Sequence, residues 1–393
     1  MKKPPGHQIK HHGLGSRKAP FPGTSQSNGN RVVNWGRCLG LINRIDVTLT
    51  SADNADNGSG SGKSTISRLL GRLPALPTID HSAINGKATL HEPIQKQLSM
   101  KILILRGGAL GDLILTLPAL ASIRKGYPNA FIELWGRFPQ AELTQPQYAD
   151  RVRDLDRAEV AHLFVKQEQP PQIGSFDLAV SFLSDPDSTI AANLRAAGIP
   201  RVVSISPAVQ GAQHASDQFA RALDELGLPR LRSPVFIQVT KAPVTQRQLA
   251  FHIGSGSERK NWPLPCWSEL IRSVADHFDD FLLVSGEADT DRLAAFKARN
   301  QIPGLRVLHN ENLRELAGEL AVSRVFIGHD SGVTHLAAAI GIPTIALFGW
   351  TDPKIWGPLG SQVRIVASAD RKMESILVQD VERELSILLT PSS

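Results

Sequence analysis

From Met100 onward the chain alternates short apolar runs with amphipathic stretches, and this rhythm restricts it to very few folds. Strands are predicted at 101–105, 130–135, 176–182, 201–205, 249–253, 281–284, 305–308, 324–328 and 344–348. Helices are predicted at 110–125, 265–278, 287–299, 312–322, 331–340 and 373–389. Short apolar strands alternating with helices indicate α/β architecture, with parallel sheets covered on both faces. The rhythm breaks near 239–248, where Lys241, Pro243 and polar neighbours read as a linker. Two Rossmann-like domains are therefore expected, 100–243 and 244–393, with the carboxyl ends of both sheets facing a cleft. The terminal helix is expected to pack back across both domains.

Residues 1–99 have a different character. The first 45 carry Lys and Arg but no Asp or Glu, and are rich in Gly, Pro, Ser and Asn. Such a segment buries too little apolar surface to offset its ordering entropy, so a largely disordered basic extension is expected. A weak strand is predicted at 46–50 and a helix at 65–73. Gly58-Ser59-Gly60-Ser61-Gly62-Lys63-Ser64-Thr65 imitates a phosphate-binding loop, but the full pattern needs glycine where Asn57 stands. With Leu70-Gly71-Arg72-Leu73 and Leu76 to Asp80 it resembles the start of a small P-loop kinase of the adenylate-kinase-like kind. A P-loop needs a parallel sheet beneath it and an acid on a second strand for Mg²⁺, and residues 81–99 are too few to supply them. The stretch reads as a remnant or a misplaced start. Deleting 1–99 is expected to leave a folded protein that still binds its ligand, and loss of binding on truncation would make the extension structural.

The apolar run 336–348 is interrupted by Gly341 and Pro343 and falls short of the roughly 20 residues that span a bilayer. Lys2 and Lys3 precede Pro, Gly and His rather than an apolar stretch, which does not read as a secretory signal. Cys38 and Cys266 are the only cysteines, so no disulfide framework is legible and a reducing, cytoplasmic compartment is expected. The net charge of +6 favours anionic partners without choosing among phosphates, nucleic acid and an acidic membrane face.

Three strand-to-helix junctions carry groups suited to chemistry. In the first, Arg106-Gly107-Gly108-Ala109-Leu110-Gly111-Asp112, the glycines Gly107, Gly108 and Gly111 permit close approach to the backbone where a helix begins. A dinucleotide fingerprint would need glycine at Arg106, although Glu133 lies about where a ribose-binding acid would be expected. Asp112 is either a helix-start carboxylate stabilised by the macrodipole or a general base. In the second, Gly254-Ser255-Gly256-Ser257-Glu258-Arg259-Lys260-Asn261-Trp262-Pro263, N–H and hydroxyl donors and the Lys260 charge suit a phosphate. His252 before it reads as structural. In the third, Gly328-His329-Asp330-Ser331-Gly332-Val333-Thr334-His335, a helix N-terminus suits a pyrophosphate, with Asp330 or Ser331 as the N-cap and His335 one turn in. His329, Asp330 and His335 match no strong metal-ligand spacing.

Arg106 to Asp112 followed by Leu117-Pro118-Ala119-Leu120 resembles the opening motif of glycosyltransferase family 9. Gly254 to Ser257 with Lys260-Asn261-Trp262-Pro263 resembles its central motif. Asp330-Ser331-Gly332, His335-Leu336-Ala337, Phe348-Gly349 and Thr351-Asp352-Pro353 resemble its third. His214-Ala215-Ser216-Asp217 also fits, read as structural or acceptor-side. The resemblance runs from Met100 to about Gly360. It implies the GT-B fold and inverting transfer of a sugar from a nucleotide sugar, heptose from ADP-heptose in the best-known members. The acceptor is then a lipopolysaccharide inner-core or other lipid-linked or oligosaccharide glycan, reached from the cytoplasm or the inner face of the membrane, and nucleic acid is not a partner. By this resemblance Asp112 is the catalytic base; Ser255, Lys260, Asp330, Ser331, Gly332 and His335 hold the donor's nucleotide and pyrophosphate; Glu287 contacts its nucleoside. No cofactor is required, and Mg²⁺ is compatible with the pattern but not implied. Ile253 replaces a frequent proline, and Trp350 stands where a small residue or proline is usual, which bears on donor-pocket shape and donor identity. The competing readings are a nucleotide-sugar-binding protein without turnover and a small-molecule kinase acting through the N-terminal segment.

Overall fold

Eleven strands form two sheets in a computed structural model that describes residues 100–166, 168–231, 236–239 and 247–390. The phosphate-loop-like stretch, the elements predicted at 46–50 and 65–73, and most of the predicted linker lie outside these residues. The described residues belong to one contact unit, so both sheets and the cleft between them form one body.

The first half comprises β1 (Lys101–Arg106), α1 (Leu110–Gly126), β2 (Phe131–Gly136), β3 (Arg151–Asp154), β4 (Leu178–Ser181), α2 (Thr189–Ala196), β5 (Arg201–Ser204), α3 (Ala215–Phe219) and α4 (Arg221–Leu226). Its strands pair in parallel in the order β3-β2-β1-β4-β5. The second half comprises β6 (Gln248–His252), α5 (Leu264–Ser273), β7 (Asp280–Ser285), α6 (Thr290–Arg299), β8 (Leu305–His309), α7 (Leu313–Ala321), β9 (Val325–His329), α8 (Gly332–Ala339), β10 (Thr344–Phe348), α9 (Pro353–Trp356), β11 (Val363–Ala367) and α10 (Val378–Leu389). These strands are also parallel, in the order β11-β10-β9-β6-β7-β8.

The central strands read as unbroken apolar runs because both faces are buried. On β1, Ile102 and Ile104 enter one apolar cluster and Leu103 and Leu105 another, the two-residue alternation of a strand. The first cluster continues through α1 and α8 to Ala250, Leu282 and Phe326, so these two helices lie between the sheets. The terminal helix departs from expectation. Val378, Val381 and Leu385 form one stripe of α10, and it packs on α5, β10 and β11 with the second half's outer cluster, not across both domains.

Candidate functional site

Each sheet reverses its strand order once, between β1 and β4 and between β6 and β9, and such switch points open crevices at the carboxyl ends of the strands. Both crevices contribute to one cavity of about 370 Å³. Gly111 and Asp112 line it from the first half, and Gly256, Lys260, Asp330, Ser331, Gly332, His335 and Thr351 from the second. Four expected residues stand outside its lining. Gly107 and Gly108 form the turn beneath Asp112, Ser255 lies inside its own loop, and Glu287 is exposed at the end of β7. A larger cavity, about 700 Å³, lies at the amino ends of β1 and β2 and holds Glu133, Arg151 and Arg153. Glu133 accepts a hydrogen bond from Trp135 Nε1 at 2.8 Å and faces both arginines at 3.6 and 3.3 Å. It is thus a buried packing acid rather than a ribose ligand.

Asp112 takes the helix-start role expected of it and stands where a general base would have to stand. Its Oδ2 accepts from the Ala109 N–H at 2.8 Å, closing the first turn of α1, while the partly exposed carboxylate borders the cavity. Gly108 turns at φ +89°, and a Cβ there would stand 2.7 Å from Asp112 Oδ2, so glycine is required on both counts. In the sequence Arg106 is only the residue that spoils a glycine pattern. Its guanidinium is buried under the junction, donating to Thr116 Oγ1 at 2.8 Å and Asp112 O at 3.0 Å, with Asp112 Oδ1 3.8 Å away. It stacks 4.7 Å over the Phe219 ring. Burial lowers its pKa to about 10 against the opposing pull of Asp112, which leaves a permanent cation beside the carboxylate. The legible signal was a charged residue ending an apolar strand just before glycines.

Asp330 is the hub of the opposite wall. Oδ2 accepts from Lys260 Nζ at 2.7 Å and Thr351 Oγ1 at 2.6 Å, and His335 Nε2 lies 3.9 Å from Oδ1. Burial alone would raise this carboxyl, but His335, Lys260 and Thr351 outweigh it and hold it near 2. A pKa lowered in the folded state stabilises the protein above the ordinary carboxyl range, and that contribution disappears as pH falls from about 4 towards 2. Between pH 5 and 2 the wild type is therefore expected to lose about 2 kcal/mol more unfolding free energy than Asp330→Asn, measured by urea titration. Parallel acid limbs for the two proteins would contradict the depressed carboxyl.

Ser331, not Asp330, is the N-cap of α8, accepting from the Thr334 N–H at 3.4 Å. The loop after β6 is fixed from below. His329 is fully buried; its Nδ1 donates to Gly254 O at 3.0 Å and its Nε2 accepts from the Trp262 N–H at 2.9 Å. Desolvation pushes its pKa down to about 3, so it is a neutral staple with both nitrogens engaged. Arg292 donates to Ile253 O and Trp262 O. The Ser255 hydroxyl has one hydrogen to donate, to Ser257 O at 2.7 Å or Asn261 Oδ1 at 2.8 Å, so that side chain shapes the loop instead of facing the cavity. At the rim, the Arg259 guanidinium stacks 5.0 Å over the exposed Trp350 ring.

Gly111 and Gly332 serve packing. A Cβ on Gly332 would meet Leu110 Cβ at 2.8 Å and Gly111 N at 3.2 Å, and one on Gly111 would meet His335 Cδ2 at 3.2 Å. The first turns of α1 and α8 therefore abut across the two halves with hydrogen atoms alone between them.

Known proteins are similar to this chain in sequence and fold. Residues 209–385 match the model of glycosyltransferase family 9 (heptosyltransferase). The chain is 26% identical over 305 residues to lipopolysaccharide heptosyltransferase 1 of Pseudomonas aeruginosa, covering 68% of this chain and 83% of that protein. A family 9 glycosyl transferase from Veillonella parvula superposes with a TM-score of 0.63 at 17% identity, over 74% of this chain and 97% of that one. The E. coli heptosyltransferase WaaC with ADP superposes with a TM-score of 0.59 at 18% identity, over 74% of this chain and all (100%) of that one. Both superpositions show the GT-B fold.

Proposed function

We propose, from the premise that the chain carries a glycosyltransferase family 9 domain at residues 209–385, that it is an inverting glycosyltransferase moving heptose from ADP-heptose. The acceptor is a lipopolysaccharide inner-core or related glycan, as the name of the P. aeruginosa relative suggests. One observation carries the reading: Asp112 and the Lys260–Asp330–Ser331 group face one cavity from opposite halves of the protein.

The acceptor hydroxyl loses its proton to Asp112 while its oxygen attacks the anomeric carbon from the face opposite the diphosphate. Negative charge then grows on the departing nucleoside diphosphate. Lys260 and the free N–H groups at the start of α8 stabilise it, so the protein supplies charges that a divalent ion would otherwise bring. The nucleoside extends along the carboxyl edge towards β7, where Glu287 is exposed. Among the described residues no helix is long and apolar enough to cross a membrane. A lipid-linked acceptor would be met at the inner membrane face.

Calorimetric titration with ADP-heptose, and transfer to an inner-core acceptor, test the assignment directly. Lys260→Ala is expected to weaken donor binding about tenfold to a hundredfold, the loss of one charge-assisted contact. Its fold should persist, since the side chain is partly exposed and its main partner is Asp330. Undiminished donor affinity in that variant would detach Lys260, and with it the central motif, from the donor site.

A further inference from the structure

Beneath this cradle lies a buried acid–base pair that the transfer chemistry above leaves without a role. His252 ends β6 and Asp289 sits in the turn entering α6; their side chains are 6% and 7% exposed, with Nε2 3.0 Å from Oδ2. Asp289 also accepts from the Gly286 N–H at 2.9 Å. Burial works to raise its carboxyl, but the hydrogen bonds from His252 and Gly286 prevail and keep it below the ordinary range. Asp289 is therefore an anion and Nε2 carries the proton between the two. The other ring nitrogen, Nδ1, faces Ser331 Oγ at 3.4 Å, and Ser331 lines the cavity. A polar chain thus runs from a buried carboxylate through an imidazole to a hydroxyl at the donor site.

Two proton arrangements fit this chain. With one proton on the ring, Nδ1 is an acceptor and the Ser331 hydroxyl points inward, to Nδ1 or to Thr334 Oγ1 3.2 Å away. Thr334 Oγ1 itself donates to His329 O at 2.5 Å, so it has a lone pair to offer. With two protons, Nδ1–H donates to Ser331 Oγ and the serine's own hydrogen turns outward towards the cavity. A diphosphate at the start of α8 stabilises only the second arrangement.

We propose, resting on the donor-binding reading above, that His252 takes up one proton from solvent when the nucleotide sugar binds, placing an imidazolium beneath the diphosphate and making Ser331 a donor to it. No bond of the substrate changes in this step, and the proton returns to solvent when the nucleoside diphosphate leaves. The groups facing the ring are consistent with it. Asp289, bonded to the ring, favours the second proton; Arg292 is the cation that interacts with Asp289 and His329, and His329 itself is neutral. His252 and Asp289 are positioning residues, and Ser331 is the group that touches the ligand.

The test is calorimetry of ADP-heptose binding to the full chain near neutral pH, in buffers of low and high ionisation enthalpy. The diphosphate diester of ADP-heptose does not titrate in this range, so any proton taken up goes to the protein. Wild type should take up a fraction of a proton approaching one, and its affinity should weaken as pH rises, by up to about tenfold per unit. His252→Gln, which can hydrogen-bond but not titrate, should still bind without proton uptake. Binding by wild type without proton uptake overturns the inference, as does uptake that survives in His252→Gln. Should that variant not fold, the wild-type buffer and pH series still decides. Absence of any ADP-heptose binding by wild type is a separate result, and removes the donor assignment itself.

Discussion

Replacing Asp112 with Asn is expected to lower kcat by about 10²–10⁴ while leaving donor affinity nearly unchanged. The structure makes this substitution informative because the two carboxylate oxygens have separable duties. Oδ2 accepts the Ala109 N–H at 2.8 Å, and an amide oxygen can accept it equally well, so the start of α1 is preserved. The amide has no basic lone pair for an acceptor hydroxyl, so only the chemistry is lost. Arg106 keeps Thr116 Oγ1 and the backbone oxygen of residue 112, so its buried guanidinium is not orphaned. Single-turnover transfer with saturating donor and acceptor measures the effect. A rate within about threefold of wild type, well short of the general-base range, would leave Asp112 as a helix-start acid only.

The second large effect is structural. Gly254→Ala should destabilise the protein by about 3–5 kcal/mol, lowering Tm by about 10 °C, because its Cβ would stand 1.8 Å from Asp289 Oδ1 and 2.2 Å from Cγ. Asp289 cannot yield without losing His252 and the Gly286 N–H, which leaves buried charge unpaired. Gly256, two residues along in the same loop, provides the contrast. A Cβ there meets nothing within 4 Å, so Gly256→Ala should change stability by no more than about 0.5 kcal/mol. Thermal melts of the two variants side by side check both expectations. Equal stability would mean that the loop and Asp289 do not interlock.

The contrast also shows what the sequence made legible. The strand–helix rhythm from Met100 placed both sheets and most of their helices, because strands buried on two faces announce themselves as apolar runs. It missed β3 and β11, one edge strand of each sheet, where the charged residues of Arg151-Val152-Arg153-Asp154 and Arg364 between Val363 and Ile365 break the apolar run that marked the other edges, β5 and β8. The short α2, α3, α4 and α9 also escaped, each too brief for a helical period to register. In the site, glycines and polar residues at strand ends pointed to Asp112, Lys260, Asp330, Ser331 and His335. They could not show that Ser255 turns into its own loop or that Glu287 lies beyond the cavity. The Asp289–His252–Ser331 chain was equally hidden, since its members come from three strand ends and meet only in three dimensions. So was the reason for Gly111 and Gly332, which reads as backbone access in one dimension and as helix contact in three.

That contact makes the opening of the cleft an adjustable quantity. Each added atom at residue 332 must lift the first turn of α8 off α1, because Leu110 Cβ and Gly111 N already occupy the space. Alanine, serine and valine there form a set of shims of increasing thickness, inserted where the turn bearing Asp112 touches the turn bearing Ser331. Catalysis measured against shim thickness reports how closely the acceptor oxygen and the anomeric carbon must be pressed together, with the reacting groups themselves untouched.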